Sequence, residues 1–599
     1  MQYIKHSFEL FFHESHHPPK STMYSPPLEY LFPAPSLPPS QLAPAHFPGV
    51  SPKSTAALQR VLKDNHAKWH IFFNEMRFHN HAAHRAVASW ALGADAGAIQ
   101  KGYELDCHYE KPAFESPGAI RSDNFYEHLG DDKYYNAYMQ FLTQFIKEKG
   151  VAAALEEFVF SRKANVGPSA NIPTEKQPQI LSRFFAGLLH PMIHAGYGVE
   201  FGLPGMVVEG IAQTVVHNPT PGLLTLLGLF EDEPGVGHDT GASLASSFSA
   251  AMSGLGSPFG KVLPQSTSSS NAPVADSGPH ALTILSRVLS DPKFASPGSA
   301  AIDEDRILYA ALENHAKDVA AYANMWVVDP TRLANVEGEL DRKIEELAWA
   351  ICVLYGVAGW TDMKLGGKDG EDARFNADFF FMHLVTSSIF LPSLCAILSP
   401  TSQACLLKSY LMSALIWAVA RGRPRLDVKG FVAATQDVVA IPGLPASLKS
   451  KSESASVTGV DEESKIWSRI LDEARVHQDE HLTKTIRALA GWAAVFGTRK
   501  AREALKGGDT AGTEVDLQSI ISSTELPGSQ YLDGGFFFRA AILILGRMGW
   551  DLEKGDQKER EAEGREGRGA AFERDGAFWD FKGFYDQDGQ ATKTDGTKG

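Results

Sequence analysis

Apolar residues recur at helical spacing along most of this chain, and strand-like alternation is scarce. In the stretch 134–146, for example, Tyr138, Phe141, Leu142 and Phe145 fall on one face of a helix. Helices with one apolar stripe bury it by packing against other helices. The pattern therefore predicts a mainly α fold, a large multi-helix bundle that forms a single domain.

The predicted helices alternate with loops that are rich in glycine and proline. Of the 599 residues, 44% are hydrophobic and 21% are charged, so the chain has enough apolar material for a large core. The ranges with the clearest helical pattern are 55–92, 123–149, 150–160, 181–199 and 342–357.

The composition changes near residue 54. Residues 1–53 are rich in proline, which lacks a backbone N–H, so we expect a partly disordered extension that runs along the body. We expect the ordered fold to start near Ser54 and the α-helical catalytic domain to span residues 54–550.

Two polar segments and a tail complete the predicted organisation. The segments 243–278 and 447–464 are rich in small or polar residues and indicate surface insertions between helices. Residues 551–599 begin as a charged, glycine-rich tail. The run 578–585 within it is too aromatic for a solvated tail, so we expect it to dock on the body.

Charge and cysteine content limit the partners and the compartment. A net charge of −15 argues against nucleic acid and anionic membranes, which bind clustered Lys and Arg. The cysteines form no CxxC pair, which disfavours a zinc knuckle or a disulfide framework. Residues 1–20 show no secretory signal, and we find no apolar window of about 18 residues that could span a membrane. We expect a cytoplasmic protein.

A pair of histidines provides the first candidate site. His190 and His194 are four residues apart, a spacing that places both rings on one helix face. Because imidazole is a common ligand of iron, zinc and copper, the pair is a candidate metal site. Pro191 cannot donate to the carbonyl of Gly187, so we expect it to kink the helix between the two histidines.

Three other segments place further polar side chains at helical spacing. In the first of them, His79 is expected to face away from its neighbours, and the isolated His66 is expected to be structural. Spacing alone leaves a structural role open for every candidate, because an isolated helical histidine is usually just hydrogen-bonded. The further candidates are His81 with His84, His383 with Thr386, and His481 with Lys484.

None of these segments matches the HExxH motif of zinc proteases, in which the embedded glutamate acts as a base. The residues between His190 and His194 are Pro191, Met192 and Ile193. The sequence therefore disfavours a zinc protease.

As strings, the four segments resemble recurring blocks of the questin oxidase family. The strings are HNHAAH from residue 79, HPMIHAGYGVEF from residue 190, DFFFMHLVTSSIFLPSL from residue 378 and DEHLTKTIRAL from residue 479. The resemblance covers residues 78–489. It implies an oxidoreductase of secondary metabolism that uses dioxygen to cleave the quinone ring of an anthraquinone-type aromatic polyketide.

The resemblance also implies a non-haem Fe(II) centre held by histidines and by a lysine carboxylated on its side-chain nitrogen. A buried lysine loses its proton readily and can then react with carbon dioxide to give a carbamate, an oxygen ligand. The implied ligands are His190, His194 and His383, one or both of His81 and His481, and carboxylated Lys484.

Two further residues have implied roles near this centre. Five histidines compete for about four positions, so at least one is left as a base that deprotonates a phenolic substrate, and His84 is a further candidate for that base. Thr386 is expected to donate a hydrogen bond to the carbamate.

Two alternative functions stay open at this point. One is an NADPH-dependent monooxygenase of Baeyer–Villiger type. The glycines in 196–202 and 254–260 have the wrong spacing for a GxGxxG loop, which disfavours flavin but leaves NADPH open as an external reductant. The other is a non-catalytic helical scaffold, which would hold no stoichiometric metal. The oligomeric state stays open as well.

Overall fold

The predicted mainly α fold is confirmed in a computed structural model. Within the ranges that this structure describes, regular secondary structure is helical, and β-pairing is limited to isolated bridges such as that between Phe72 and His79. The described ranges are 28–167, 172–173, 176–220, 223–224, 227–230, 278–295, 306–366, 374–445, 448, 459–501, 524–549 and 579–585.

The predicted insertions and the charged part of the tail lie outside these ranges, apart from residues 278, 448 and 459–464. The α-helices in chain order are α1 Leu28–Leu31, α2 Pro52–Lys68, α3 Ala82–Ala91, α4 Ala96–Cys107, α5 Tyr135–Lys149, α6 Val151–Leu155, α7 Arg162–Asn165, α8 Ile180–Phe184, α9 Ala186–Glu200, α10 Pro204–Val216, α11 Ala281–Ser290, α12 Ile307–Met325, α13 Pro330–Asn335, α14 Glu339–Gly366, α15 Phe379–Ser388, α16 Leu391–Ile397, α17 Pro400–Ala420, α18 Val428–Thr435, α19 Gly459–Val476, α20 Glu480–Phe496 and α21 Phe536–Met548.

Four of these helices, α3, α9, α15 and α20, meet in the interior. Helix α15 packs on both α9 and α20, and α3 packs on α20 and α9. Helix α10 lies against the other side of α9, where Gly210 permits the close approach, since a Cβ there would lie 2.6 Å from the backbone nitrogen of Ala195. The candidate histidines all lie on these four helices or immediately before them.

The polar residues that begin α15 and α20 explain why these helices start where they do. Asp378 accepts hydrogen bonds from the backbone nitrogens of Phe380 and Phe381 through Oδ1. Asp479 caps α20 in the same way, accepting from His481 at 2.8 Å and from Leu482 at 3.2 Å. Such caps satisfy N–H groups that have no partner within the helix. They place His383 and His481 near the helix N-termini.

The long helix predicted for 55–92 is divided in two. Helix α2 ends at Lys68 and α3 starts at Ala82, and the connection between them forms isolated bridges. His81 is therefore the N-cap residue of α3 rather than a residue of a continuous helix.

The predicted kink between His190 and His194 is wrong. The break precedes His190, where Gly187, Leu188 and Leu189 have left-handed φ values of 54°, 55° and 62°. Pro191 then falls in the first turn of the right-handed part of α9. A proline there removes no helical hydrogen bond, because the first backbone N–H groups have no partner within the helix.

The proline-rich extension, where it is described, packs against the helices. Leu31 and Phe32 are fully buried, and the Phe32 ring lies where a Cβ on Gly205 would fall. Helix α2 begins at Pro52, two residues before the predicted start of the ordered fold, and Ser51 caps it.

One helix contradicts the prediction that no apolar window of about 18 residues is present. Helix α17 is long and apolar enough to cross a membrane, although no such window was expected. Of its most apolar 18 residues, 89% are buried within the protein. This helix is therefore packed as a core helix in the described structure.

Candidate metal centre

Four imidazoles from four helices converge in the interior. The Nε2 atoms of His81 and His190 lie 2.7 Å apart, and the ring of His190 lies 4.9 Å from that of His383. The ring of His481 lies 4.9 Å from His81 and 5.2 Å from His383. Candidate ligand atoms of His81, His190 and His481 all lie within 4.8 Å of one another. All four residues are at least 92% buried, since the largest exposed fraction is 8%.

Backbone carbonyls hold the outer nitrogens of two of these rings. Nδ1 of His190 donates to the carbonyl of Gly187 at 2.5 Å, and Nδ1 of His383 donates to that of Phe379 at 2.8 Å. A carbonyl only accepts, so each proton sits on Nδ1 and each Nε2 carries a lone pair.

Carboxylates face the outer nitrogens of the other two rings. Nδ1 of His81 lies 3.4 Å from Oε1 of Glu480, and Nδ1 of His481 lies 3.5 Å from the same oxygen and from Oδ1 of Asp479. A negative charge at these positions favours the proton on Nδ1 and again leaves the lone pair on Nε2.

The inner nitrogens of His81 and His190 lie at hydrogen-bonding distance, 2.7 Å, so one of these two rings donates to the other unless a cation lies between them. Nε2 of His383 and Nε2 of His481 are buried without any hydrogen-bond partner. Burial lowers the pKa of His81, His190 and His383 well below the usual value, so these rings are neutral at physiological pH. Neutral imidazoles that donate from the outer nitrogen and point Nε2 inward are arranged as metal ligands. The residues present thus fit a metal ion.

Lys484 lies one turn after His481 and belongs to the same interior group. Its side chain is 2% exposed, and its Nζ has no hydrogen-bond partner. Burial, which Arg85 reinforces and Glu480 opposes, lowers the pKa of Lys484 to about 8. Its charge is close enough to the imidazoles to lower the pKa of His81, His190 and His383 further. A fraction of this amine is therefore neutral at physiological pH.

Two carboxylate contacts extend the network outward from the centre. Arg85 in α3 binds Glu480 at 3.2 Å and Asp106 at 3.0 Å. Because Glu480 faces both His81 and His481, Arg85 fixes the carboxylate that orients two of the four rings.

His84 and His194 belong to a different chain of contacts. Nε2 of His84 lies 3.0 Å from Nδ1 of His194, whose Nε2 lies 2.6 Å from Oε2 of Glu209. The other oxygen of Glu209 lies 2.6 Å from Nδ1 of His66, a partly exposed residue of α2. Burial acts to raise the pKa of Glu209, but the bonds from His194 and His66 lower it to about 2. The ionised carboxylate thus accepts from both sides.

These contacts from Glu209 through His194 fix the tautomer of His84. Since Glu209 accepts from Nε2 of His194, the Nδ1 of His194 is free to accept from Nε2 of His84. Nδ1 of His84 then carries a lone pair, and it is buried without a partner. Burial lowers the pKa of His84 well below its usual value, so the ring is neutral and its Nδ1 presents a lone pair.

The structure thus separates the predicted ligands into two groups. His81, His190, His383 and His481 come together with Lys484, whereas both ring nitrogens of His194 are engaged by His84 and Glu209. The hydroxyl of Thr386 donates to the carbonyl of His383 at 3.2 Å, and no hydrogen bond joins it to Lys484. Its support of a carbamate stays a prediction.

Several residues at the site were not found from the sequence. His79 was expected to face away, but its ring stacks on His190 at 4.1 Å, and its Nε2 lies 2.9 Å from that of His217. His66 was expected to be structural but ends the chain that starts at His84. Glu209 carries no spacing signal, because it is distant in sequence from both its partners. Glu480 could have been found as the neighbour of His481.

The left-handed turn before His190 shapes the centre directly. It places the carbonyl of Gly187 against Nδ1 of His190. A Cβ at Gly187 would lie 2.5 Å from Nε2 of His217 and 2.8 Å from Nε2 of His79, so only glycine fits there. Leucines with positive φ are strained, and such strain persists where the surroundings over-determine the conformation.

These features define a helical protein with a buried cluster of histidines whose geometry could hold a metal ion. A sequence model described as questin oxidase-like matches residues 78–489, and the chain belongs to this family. The resemblance seen in the four histidine strings is thereby confirmed. The curated relatives carry oxidoreductase names, so the family places the chain among oxidoreductases.

Three relatives show the range of names within the family. Oxidoreductase AflY of Aspergillus parasiticus is 24% identical over 454 residues, which are 74% of each chain. Questin oxidase of Aspergillus terreus is 24% identical over 450 residues, 73% of this chain and 80% of that protein. Baeyer-Villiger monooxygenase AacuH of Aspergillus aculeatus is 30% identical over 184 residues, 29% of this chain and 35% of that protein.

The geometry predicts different metal contents for two histidine variants. His190→Ala removes an inward Nε2, and we expect the bound divalent metal to fall to about a tenth of the wild-type content or less. His194→Ala removes a ring already held by His84 and Glu209, and we expect it to keep its metal. Elemental analysis of anaerobically purified protein measures both. Equal metal loss in the two variants would contradict the assignment of His194 outside the ligand group.

Proposed function

We propose that the protein is a non-haem Fe(II)-dependent oxygenase that cleaves the quinone ring of an anthraquinone-type aromatic polyketide in secondary metabolism. The observation that carries the proposal is the convergence of the buried rings of His81, His190, His383 and His481, in which Nε2 of His383 and Nε2 of His481 have no hydrogen-bond partner. Relatives named questin oxidase support the substrate class.

The proposed ligands are His81, His190, His383 and His481, with Lys484 as a carbamate. Bound iron would supply redox chemistry toward dioxygen and Lewis acidity toward an ionised substrate. The protein contributes orientation. The carbonyls of Gly187 and Phe379 hold two rings, and Glu480, fixed by Arg85, faces the other two.

The carbamate on Lys484 would form from the neutral amine and carbon dioxide. The nitrogen lone pair forms a bond to the carbon, one C=O bond becomes an oxyanion, and the nitrogen releases a proton. The pKa of about 8 makes the neutral amine accessible, and the partnerless Nζ is free to react. The product converts a buried cation into an anion beside the ligand group, which favours binding of a metal cation.

His84 is proposed as the base for a phenolic hydroxyl. Its Nδ1 lone pair would take the proton, while Nε2 remains a donor to His194. The Glu209 carboxylate stabilises positive charge on the two rings, and its contact with His66 leads toward solvent. In this proposal His194 connects His84 to Glu209, whereas the sequence reading had expected His194 to be a metal ligand.

A second candidate function has support from the relatives. Several are named Baeyer–Villiger oxidases or monooxygenases, which favours an NADPH-dependent insertion of one oxygen atom into the same substrate class. The two functions differ in the fate of the second oxygen atom.

Labelled dioxygen separates these two functions. With questin as the probe and ¹⁸O₂ as the oxidant, we expect both labelled atoms in one product molecule, measured by mass spectrometry. A reaction in labelled water with unlabelled dioxygen is the control for exchange. A product that carries a single label from ¹⁸O₂, with consumption of NADPH, would establish the monooxygenase instead.

The carbamate predicts a dependence on carbon dioxide and pH. At fixed dissolved carbon dioxide, the initial rate at which activity recovers in iron-reconstituted apoprotein should rise about tenfold per pH unit below pH 8 and level off above it. The reason is that only the neutral amine reacts and the pKa of Lys484 is about 8. We expect Lys484→Ala to lose activity by at least about 100-fold and to be partly rescued by short carboxylic acids.

Lys408→Ala is the matched control, because Lys408 is half-buried and burial also lowers its pKa. This variant should keep the wild-type response to bicarbonate. Reconstitution that ignores carbon dioxide in the wild type, together with an active Lys484→Ala, would exclude the carbamate.

The proposed base predicts a further pair of variants. Glu209→Gln removes the negative charge at the end of the contacts from His84 through His194, so we expect kcat to fall about 10- to 100-fold, a loss typical of impaired proton transfer, with iron content unchanged. His84→Ala should have at least the same effect. Both are measured as initial rates across pH 6–9 with metal analysis of the same samples. Unchanged kcat in both variants would remove His84 from the reaction.

A further inference from the structure

A short C-terminal segment, Trp579–Tyr585, contacts the two helices that carry His383 and His481. It lies well beyond residue 489, where the family match ends. Trp579 and Phe584 are buried, with exposed fractions of 3% and 2%. The segment is thus an ordered part of the described structure that the family match does not include.

Backbone and side-chain bonds join this segment to the start of α15. The backbone nitrogen of Asp580 donates to the carbonyl of Ala377 at 2.9 Å, and the nitrogen of Phe379 donates to the carbonyl of Asp580 at 3.0 Å. The carboxylate of Asp580 accepts from the nitrogen of Ala377 and pairs with Arg547 at 2.9 Å. The segment is therefore clamped to the N-terminus of the helix that carries His383.

A second anchor reaches the start of α20. The indole nitrogen of Trp579 donates to Oδ2 of Asp479 at 3.1 Å. Asp479 is the N-cap of α20 and also faces Nδ1 of His481. The same short segment is thus tied to the N-termini of both helices.

Directly after the two anchors, aromatic rings lead from the surface to the histidines. Phe581 is 47% exposed, and its ring lies 4.8 Å from that of Phe379, at an interplanar angle of 31°. Phe379 in turn lies 4.7 Å from His383 and 5.1 Å from His481. His383 is fully buried, so a substrate that approaches from this side meets Phe581 first and Phe379 second.

We propose that Trp579–Tyr585 is a strap over the candidate metal centre and that Phe581 is the residue on which a flat aromatic substrate stacks as it enters. The proposal rests on the proposed function for its substrate class. An exposed ring over a second ring offers a planar face, and offset stacking favours planar polycyclic ligands. The strap also covers Phe379, the ring that contacts both His383 and His481.

The test compares Phe581→Ala, Phe581→Trp and the exposed neighbour Lys582→Ala in the full chain. Iron content, the rate of iron removal by a soluble chelator, and the affinity for questin from tryptophan fluorescence are measured for each. We expect Phe581→Ala to keep its iron, to lose it to the chelator about five times faster, and to bind questin about three- to tenfold more weakly, as expected for loss of one aromatic contact. Phe581→Trp should restore binding, and Lys582→Ala should match the wild type.

The outcomes separate the strap from the proposed function. A Phe581→Ala variant that matches Lys582→Ala in questin affinity and chelator rate would overturn the strap. Loss of iron from purified Phe581→Ala would also overturn it, because Phe581 would then support the centre rather than cover it. A wild type without stoichiometric iron would defeat the proposed function. The questin affinities of the variants would still show whether a flat aromatic ligand stacks on Phe581.

Discussion

The arrangement of the interior depends on imidazole nitrogens that are packed against one another in a buried space. The Nε2 atoms of His81 and His190 lie 2.7 Å apart, and the outer nitrogen of each ring faces an acceptor. Two neutral imidazoles that both present a lone pair at this distance repel one another unless one of them donates a proton. A cation between the rings turns the repulsion into attraction, since each lone pair then becomes a ligand.

Charges of both signs surround this centre, and some favour a bound cation while others oppose it. His81 and His481 lie at the N-terminal ends of their helices, where the helix dipole places positive charge, and His383 lies in the second turn of α15. That field and the Lys484 cation both oppose a metal ion. Glu480 and the Asp479 cap supply negative charge at the same ends. A carbamate on Lys484 would reverse the sign of the charge on that side chain, so in the proposed function the lysine and the metal ion act together.

The sequence predicted the ring-bearing segments better than the directions of the rings. His383 and His481 follow aspartate caps, and both the caps and the helices could be identified from spacing. His190 and His194 seemed equivalent because an i, i+4 pair shares a face. The structure divides them because each ring rotates toward its own acceptor, the Gly187 carbonyl in one case and the Glu209 carboxylate in the other.

Features that depend on tertiary contacts were beyond sequence reasoning. A left-handed turn that includes Leu188 and Leu189 contradicts local preference, so only the surrounding packing specifies it. Glu209 becomes visible as a partner of His194 only once α10 packs on α9. Helix α17 is apolar on all sides, and in the structure it is buried among other helices. From the sequence, its apolar composition alone cannot distinguish a buried core helix from a helix that spans a membrane.

The position of the centre at helix N-termini also explains why a distant segment can influence it. An N-cap residue fixes where its helix starts, so any group that binds the cap acts on the first turn of that helix. Trp579 binds the Asp479 cap, and Asp580 binds the backbone on both sides of the Asp378 cap. Tension or release in the strap would therefore reach His383 and His481 through one or two hydrogen bonds each. A centre built in the middle of four helices would be insulated from such a segment by several turns of backbone.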